Sequence, residues 1–205
     1  MTLEPLLRRA TAIPVIALDH AADGVPLARV LAGAGLALIE VTLRTPAGLP
    51  AIRAIRDARI SIEIAAGTVR TPQDLRAANA AGAAVSISPG ATPALIEAAR
   101  AAGGHWIPGA STPSEVMVLR DAGYRVQKLF PANLPLLDAL AGPFPDVVWL
   151  PTGGIDAANA PDYLRRANVA AVSGSWMAPQ RLIAEHAWDE IERRARAAAA
   201  LATGR

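Results

Sequence analysis

The chain contains no cysteine. That excludes disulfides, thiolate nucleophiles and cysteine-ligated zinc, and it fits a reducing compartment. Its histidines, His20, His105 and His186, lie far apart. None belongs to a His-x-His or His-Glu-x-x-His pattern, so no metal is expected. Aromatic residues make up only 4%. Trp106, Trp149, Trp176 and Trp188 read as packing, not as platforms for stacked bases. A strong charge of either sign is also missing: Lys+Arg number 20 and Asp+Glu 18, a net charge of +2. The largest basic cluster is Arg193, Arg194 and Arg196, too small for a nucleic-acid footprint. Glu4, Pro5, Arg8 and Arg9 open the chain with no apolar core of a signal peptide behind them. The uncharged stretch Ala77–Ile96 spans 20 residues but is interrupted by Asn79, Gly82, Pro89, Gly90 and Pro93. It reads as a helix end, a strand and a turn, not a membrane span. A soluble, cytoplasmic protein with neither nucleic-acid nor membrane partners is expected.

What the chain does have is apolar patterning. Of its 205 residues 52% are hydrophobic, enough to bury a full core, and no linker interrupts 1–205, so a single domain is expected. Short apolar runs alternate with Ala-rich helical patterns. Candidate strands are Ile13–Leu18, Leu36–Thr42, Ile60–Ala65, Ala84–Ser88, His105–Ile107, Arg125–Phe130, Val147–Leu150 and Val169–Ser173. They are near-continuously hydrophobic, as parallel strands covered on both faces should be. Candidate helices are Val25–Ala34, Pro46–Ala58, Pro72–Ala81, Pro93–Ala102, Pro113–Ala122, Leu134–Leu140 and Ala157–Arg166. The Thr-Pro pairs at Thr45, Thr71, Thr92 and Thr112 read as N-caps followed by proline at the first helical position. Gly35, Gly82, Gly103 and Gly123 fall where a left-handed residue ends a helix.

Eight such units at about 25 residues each fit an α/β architecture, a single-domain (β/α)8 TIM barrel, near its lower size limit. A doubly wound open sheet is the rival reading. An N-terminal helix over Leu3–Ala12 and a C-terminal helix over Gln180–Ala202 would be appendages.

In a barrel, chemistry sits at the carboxyl ends of strands. Lys128 is the only lysine, inside the apolar run Val126-Gln127-Lys128-Leu129-Phe130. Burial favours the neutral amine, which forms Schiff bases, and arginine cannot substitute as a nucleophile. A snorkelling surface lysine is the alternative. Glu40 shares one strand face with Leu38 and Thr42. Facing inward, it would reach Lys128 as a general acid/base; facing otherwise, it would form a structural ion pair, for instance with Arg44. Glu63 is weaker, because it lies early in its strand. Arg44 and Thr68 are candidates for holding a substrate carboxylate, or else a surface ion-pair partner and a helix cap. Pro89 and Phe130 stand at the strand ends Ser88-Pro89-Gly90 and Lys128-Leu129-Phe130-Pro131. Thr152-Gly153-Gly154 and Ser173-Gly174-Ser175 offer backbone N–H groups where barrels hold phosphate.

These motifs, from Glu40-Val41-Thr42-Leu43-Arg44-Thr45 through Ala66-Gly67-Thr68-Val69, Ile87-Ser88-Pro89-Gly90, Ile107-Pro108-Gly109, Lys128-Leu129-Phe130-Pro131-Ala132, Pro151-Thr152-Gly153-Gly154-Ile155 and Gly174-Ser175-Trp176, resemble the 2-dehydro-3-deoxy-phosphogluconate (KDPG) aldolase family, in order from about Ile13 to Pro179. The resemblance implies a cofactor-free, metal-free class I aldolase on a (β/α)8 barrel. It implies a homotrimer that splits a phosphorylated 2-keto-3-deoxy sugar acid into pyruvate and glyceraldehyde 3-phosphate. Lys128 would be the Schiff-base lysine and Glu40 the general acid/base. Arg44 and Thr68 would hold the pyruvyl carboxylate, with Pro89, Phe130 and Thr152 as further substrate contacts. Gly153, Gly154, Gly174 and Ser175 would bind phosphate. Cleavage of 4-hydroxy-2-oxoglutarate to pyruvate and glyoxylate is the implied second activity. Three departures stand out: Ala65-Ala66 where the family has Gly-Ala, Ser173 where it has glycine, and a shortened segment at Asn133–Leu136. They bear on phosphate affinity and aldehyde choice. An aldolase for another 2-keto-3-deoxy sugar acid (phosphogalactonate or unphosphorylated), a phosphate-binding barrel isomerase or synthase, and a non-catalytic sugar-acid binding barrel are the other readings these residues allow.

Overall fold

The computed structural model describes residues 2–204. The strands are β1 (Ala12–Ile16), β2 (Leu38–Thr42), β3 (Glu63–Gly67), β4 (Val85–Ile87), β5 (His105–Ile107), β6 (Gly109–Ala110), β7 (Val126–Leu129), β8 (Val148–Pro151) and β9 (Val172–Gly174). All pairings among them are parallel. One sheet has the order β5-β4-β3-β2-β1-β9 and the other β6-β7-β8. Single bridges also join Trp149 to Val169 and Thr152 to Ser173. The fold is therefore α/β, with a curled parallel sheet and ten α-helices among the described residues.

The predicted run His105–Ile107 continues after Pro108 as β6, because proline interrupts the ladder there. Two strands begin three residues later than their apolar runs suggest. The Ile60–Ala65 run is in the sheet only from Glu63, since Ile60 and Ile62 close a turn through an Ile62 N–H to Ile60 carbonyl bond of 2.8 Å. The Val169–Ser173 run pairs as β9 only from Val172, with Val169 held by its single bridge.

Strand alternation sorts the core into two layers. Ile39 and Val41 pack outward among the helices, whereas Leu38 packs inward with Ala65, Ile87 and Leu150. Helix α1 (Leu3–Ala10) joins the inner layer through Leu6, Leu7 and Ala10. It is part of the core, not the appendage its sequence position suggested. The next helices are α2 (Gly24–Gly33), α3 (Gly48–Asp57), α4 (Pro72–Ala81), α5 (Pro93–Ala102), α6 (Pro113–Asp121), α7 (Leu134–Ala141) and α8 (Ala160–Leu164). Thr71, Thr92 and Thr112 cap α4, α5 and α6 through their hydroxyls. Thr45 does not cap α3; its hydroxyl donates to the Leu18 carbonyl at 2.5 Å and ties the loop after β2 to the end of β1. Gly35, Gly82, Gly103 and Gly123 all have positive φ, as their helix-ending positions require. The expected single helix over Gln180–Ala202 is two, α9 (Gln180–Ala184) and α10 (Trp188–Ala199), followed by a 3-10 turn. The chain breaks at His186, whose φ is 50°, and its ring stacks on Trp188 at 5.3 Å.

Candidate active site

The inner layer turns polar toward the carboxyl ends of the strands. Glu40 and Thr42 follow Leu38 on β2, and Lys128 follows Val126 on β7. Glu40 is 1% exposed and Lys128 4%. Lys128 Nζ stands 3.4 Å from Glu40 Oε1. Lys128 therefore does not snorkel, and Glu40 pairs with Lys128, not Arg44. Both alternatives left open by the sequence are closed. Lys128 Nζ also sits 5.3 Å from the centre of the Phe130 ring. Glu40 Oε2 is buried and has no hydrogen-bond partner among the described residues. Such an atom is costly to keep unless something else occupies it in function. Glu63 starts β3, at the opposite end of the strands from this pair.

Two glycines make the arrangement possible, and neither stood out in the sequence as a site residue. Gly67 ends β3 on the inner face, in register with Thr42. A Cβ there would lie 2.3 Å from Glu40 Oε1 and 2.7 Å from its Cγ. The carboxylate thus occupies the space that a side chain at 67 would need. Gly109 pairs with Lys128 across β6 and β7. A Cβ on it would meet the Pro89 carbonyl oxygen at 2.3 Å, so the loop carrying Pro89 packs this closely against the neighbour of Lys128 only because residue 109 is glycine. The available signal was positional: Gly67 ends its strand and Gly109 opens one, each beside a charged inner residue.

Arg44 lies just beyond β2, exposed, and its Nε donates to Thr68 Oγ1 at 3.3 Å. Thr68 follows β3 with φ of 60°, an unusual conformation for a β-branched residue. The two expected carboxylate ligands are therefore neighbours at the same rim as Glu40.

After β8, Gly153 and Gly154 have φ of 89° and 76°. Gly153 packs against Phe130, which a Cβ would approach to 3.0 Å. The Asn159 side chain donates to the Gly154 carbonyl at 2.8 Å and fixes the turn. Gly174 and Ser175 stand at the end of β9, where a Cβ on Gly174 would strike the Trp176 ring at 2.5 Å. The bridge from Thr152 to Ser173 brings both turns side by side. Ser173 lies in β9 and is absent from the residues of positive φ, so it carries no backbone strain. Its hydroxyl is 2.6 Å from that of Thr152. Ser173, one of the departures noted in the sequence, is thus engaged by Thr152.

The four tryptophans act as packing and anchoring groups. Trp149 is fully buried, and Trp106 packs edge-on against Tyr124 at 4.9 Å while its indole donates to Ser88 at 3.1 Å. Among the described residues no group of His, Cys, Asp and Glu side chains is arranged to hold a metal ion, and no helix is long and apolar enough to cross a membrane.

Comparison with known proteins agrees with this geometry. Residues 3–194 match the aldolase family described as KDPG and KHG aldolase. The 2-dehydro-3-deoxy-phosphogluconate aldolase of Pseudomonas aeruginosa is 41% identical over 200 residues, covering 96% of this chain and 91% of the relative. The KHG/KDPG aldolase of Escherichia coli K12 is 40% identical over 199 residues, covering 95% and 93%. A crystal structure of KDPG aldolase from Legionella pneumophila, with pyruvate captured at low pH as a covalent carbinolamine intermediate, superposes with a TM-score of 0.93 at 38% identity, covering 96% of this chain and 98% of that one. By fold, by sequence along nearly its whole length and by the matching family profile, this chain belongs to the KDPG and KHG aldolase family.

Proposed function

We propose that this chain is a class I aldolase. It cleaves 2-dehydro-3-deoxy-6-phosphogluconate to pyruvate and glyceraldehyde 3-phosphate, and 4-hydroxy-2-oxoglutarate to pyruvate and glyoxylate. The observation that carries this reading is the buried 3.4 Å pair of Lys128 Nζ and Glu40 Oε1 at the polar end of the inner core. A lone lysine held beside a carboxylate is equipped for imine chemistry.

The Lys128 amine adds to the C2 ketone, and the carbinolamine loses water to give a protonated imine. Glu40 takes the C4 hydroxyl proton, the C3–C4 bond breaks, and its electron pair flows into the imine as an enamine. The aldehyde leaves. Glu40 returns the proton to C3, and water releases pyruvate and the free amine. Arg44 and Thr68 hold the carboxylate and so fix C2 against the amine, which lowers the entropy cost of reaction. Gly153, Gly154, Gly174 and Ser175 receive the phosphate with backbone N–H groups. Pro89, Phe130 and Thr152 line the space between. The chemistry requires neither cofactor nor metal.

Three further readings go with this one. The two sheets close as one (β/α)8 barrel in a single domain: residues 105–110 pair on one side with β4 and on the other with β7, and the two bridges close the seam between β8 and β9. The working form is a homotrimer, and the protein acts in the cytoplasm. Pyruvate release is the test, measured for the 6-phospho sugar acid and for its dephosphorylated twin. A kcat/KM clearly higher for the phosphorylated acid is expected. A ratio at or below one would move the assignment to small unphosphorylated 2-keto acids.

A further inference from the structure

Ser173 and Thr152 form a buried hydroxyl pair beside the proposed site, and counting their protons assigns it a role. Ser173 is fully buried and Thr152 is 5% exposed. The two oxygens are 2.6 Å apart, a short contact in which one hydroxyl must donate to the other. Thr152 Oγ1 also donates to the Leu150 carbonyl at 3.3 Å. A threonine hydroxyl has one proton and two lone pairs. Both contacts are satisfied together only when that proton goes to Leu150 and Ser173 is the donor in the short contact. Thr152 keeps one lone pair unused and offers an acceptor, not a donor. Leu150 is in register with Lys128, and Thr152 stands two residues farther along the strand, roughly 7 Å toward the glycine turns. That height falls between Lys128 and the turn at Gly153 and Gly154.

We propose that Ser173 is a positioning residue. It holds Thr152 in the orientation that accepts a hydrogen bond from a hydroxyl on the aldehyde half of the substrate. Being fully buried, it acts through Thr152 and does not touch the substrate. The pair thereby selects acceptors that carry a hydroxyl next to the reacting carbonyl over deoxy analogues. This rests on the aldolase reading above.

The experiment runs the reaction in the synthetic direction, adding pyruvate to glyceraldehyde 3-phosphate or to its 2-deoxy analogue. It compares the unaltered chain with S173A, T152V and the double variant. Deuterium exchange into the pyruvate methyl group, which needs no aldehyde, is followed on the same samples. The expected result is that S173A lowers the preference for the hydroxylated aldehyde about two- to tenfold, the worth of one neutral hydrogen bond. In the T152V background the same change has no further effect on the preference. S173C, which keeps the volume and weakens the donor, shows the same direction and serves if S173A does not fold. An unchanged preference in both Ser173 variants would overturn the inference, as would an equal loss with and without the Thr152 hydroxyl. If the unaltered chain exchanges pyruvate protons but shows no hydroxyl preference, this inference alone fails. If it neither exchanges protons nor condenses, the aldolase reading fails and takes this inference with it.

Discussion

Replacing Gly67 with alanine tests how Glu40 is placed. The added Cβ would stand 2.3 Å from Glu40 Oε1, 2.7 Å from Cγ and 2.9 Å from Cδ. Ordinary contact begins near 3.4 Å. The carboxylate must therefore retreat by about 1 Å, a displacement that can cost on the order of 10²-fold in rate. Complete loss of a general acid/base would cost roughly 10²–10⁴-fold. Gly67 has no positive φ, so the effect is steric and not a matter of backbone strain. Glu40 is buried, so it cannot swing freely into solvent. We expect G67A to fold with a stability loss of about 1–3 kcal/mol, the usual range for overpacking. Its kcat for pyruvate release should fall about 10²-fold, while Lys128 still forms an imine with pyruvate. A coupled lactate dehydrogenase assay gives kcat, and reductive trapping gives the imine. Unchanged kcat in a folded G67A would refute the claim that this glycine fixes the carboxylate.

Other changes should separate the parts of the site from the parts of the scaffold. E40Q should lower kcat by roughly 10²–10⁴-fold and flatten the pH–rate profile, whereas an unchanged profile would remove Glu40 from proton transfer. G153A places a Cβ at a φ of 89° and 3.0 Å from the Phe130 ring; it should cost about 1–2 kcal/mol and raise KM for the phosphorylated substrate, both readable from thermal melts and steady-state kinetics. L7A empties a fully buried position in the inner core and should destabilise by about 2–5 kcal/mol in denaturant titrations. Glu190 accepts hydrogen bonds from Arg193 and Arg194, which lower its carboxyl from 4.5 to about 2. A lowered carboxyl stabilises the fold above its ordinary value and loses that contribution as pH falls through the lowered one. The Tm difference between the unaltered chain and E190Q should thus be full above pH 4.5 and vanish toward about pH 2.

Much of this was legible in the residues. Period two along Leu38, Glu40 and Thr42 put these three on one strand face, which the structure shows to be the inner one, and the only lysine lay in an apolar strand. Thr-Pro pairs located three helix starts, because the hydroxyl cap and the missing N–H of proline are local chemistry. The exceptions arose from contacts distant in sequence. Thr45 has the same local pattern but finds the Leu18 carbonyl. Helix α1 reads as an amphipathic appendage until the curled sheet supplies a face for Leu6 and Leu7. The break between α9 and α10 has neither glycine nor proline to mark it; His186 takes a positive φ and stacks on Trp188. Gly67 looks like any strand-end glycine until the Glu40 side chain is seen filling its missing Cβ. Ser173 and Thr152 are 21 residues apart, and only strand pairing brings their hydroxyls together.

The central claim is that Lys128 forms a covalent imine with substrate. Because it is the only lysine, the measurement is clean: incubate the protein with pyruvate, reduce with borohydride, digest, and locate the added mass. A single reduced pyruvyl adduct on Lys128 is the expected result, with the N-terminal amine as the internal control. K128R, which keeps the charge but not the nucleophile, should give no adduct at position 128 and no pyruvate release. Normal turnover by K128R, or an unmodified Lys128 in protein that is turning over, would contradict the account.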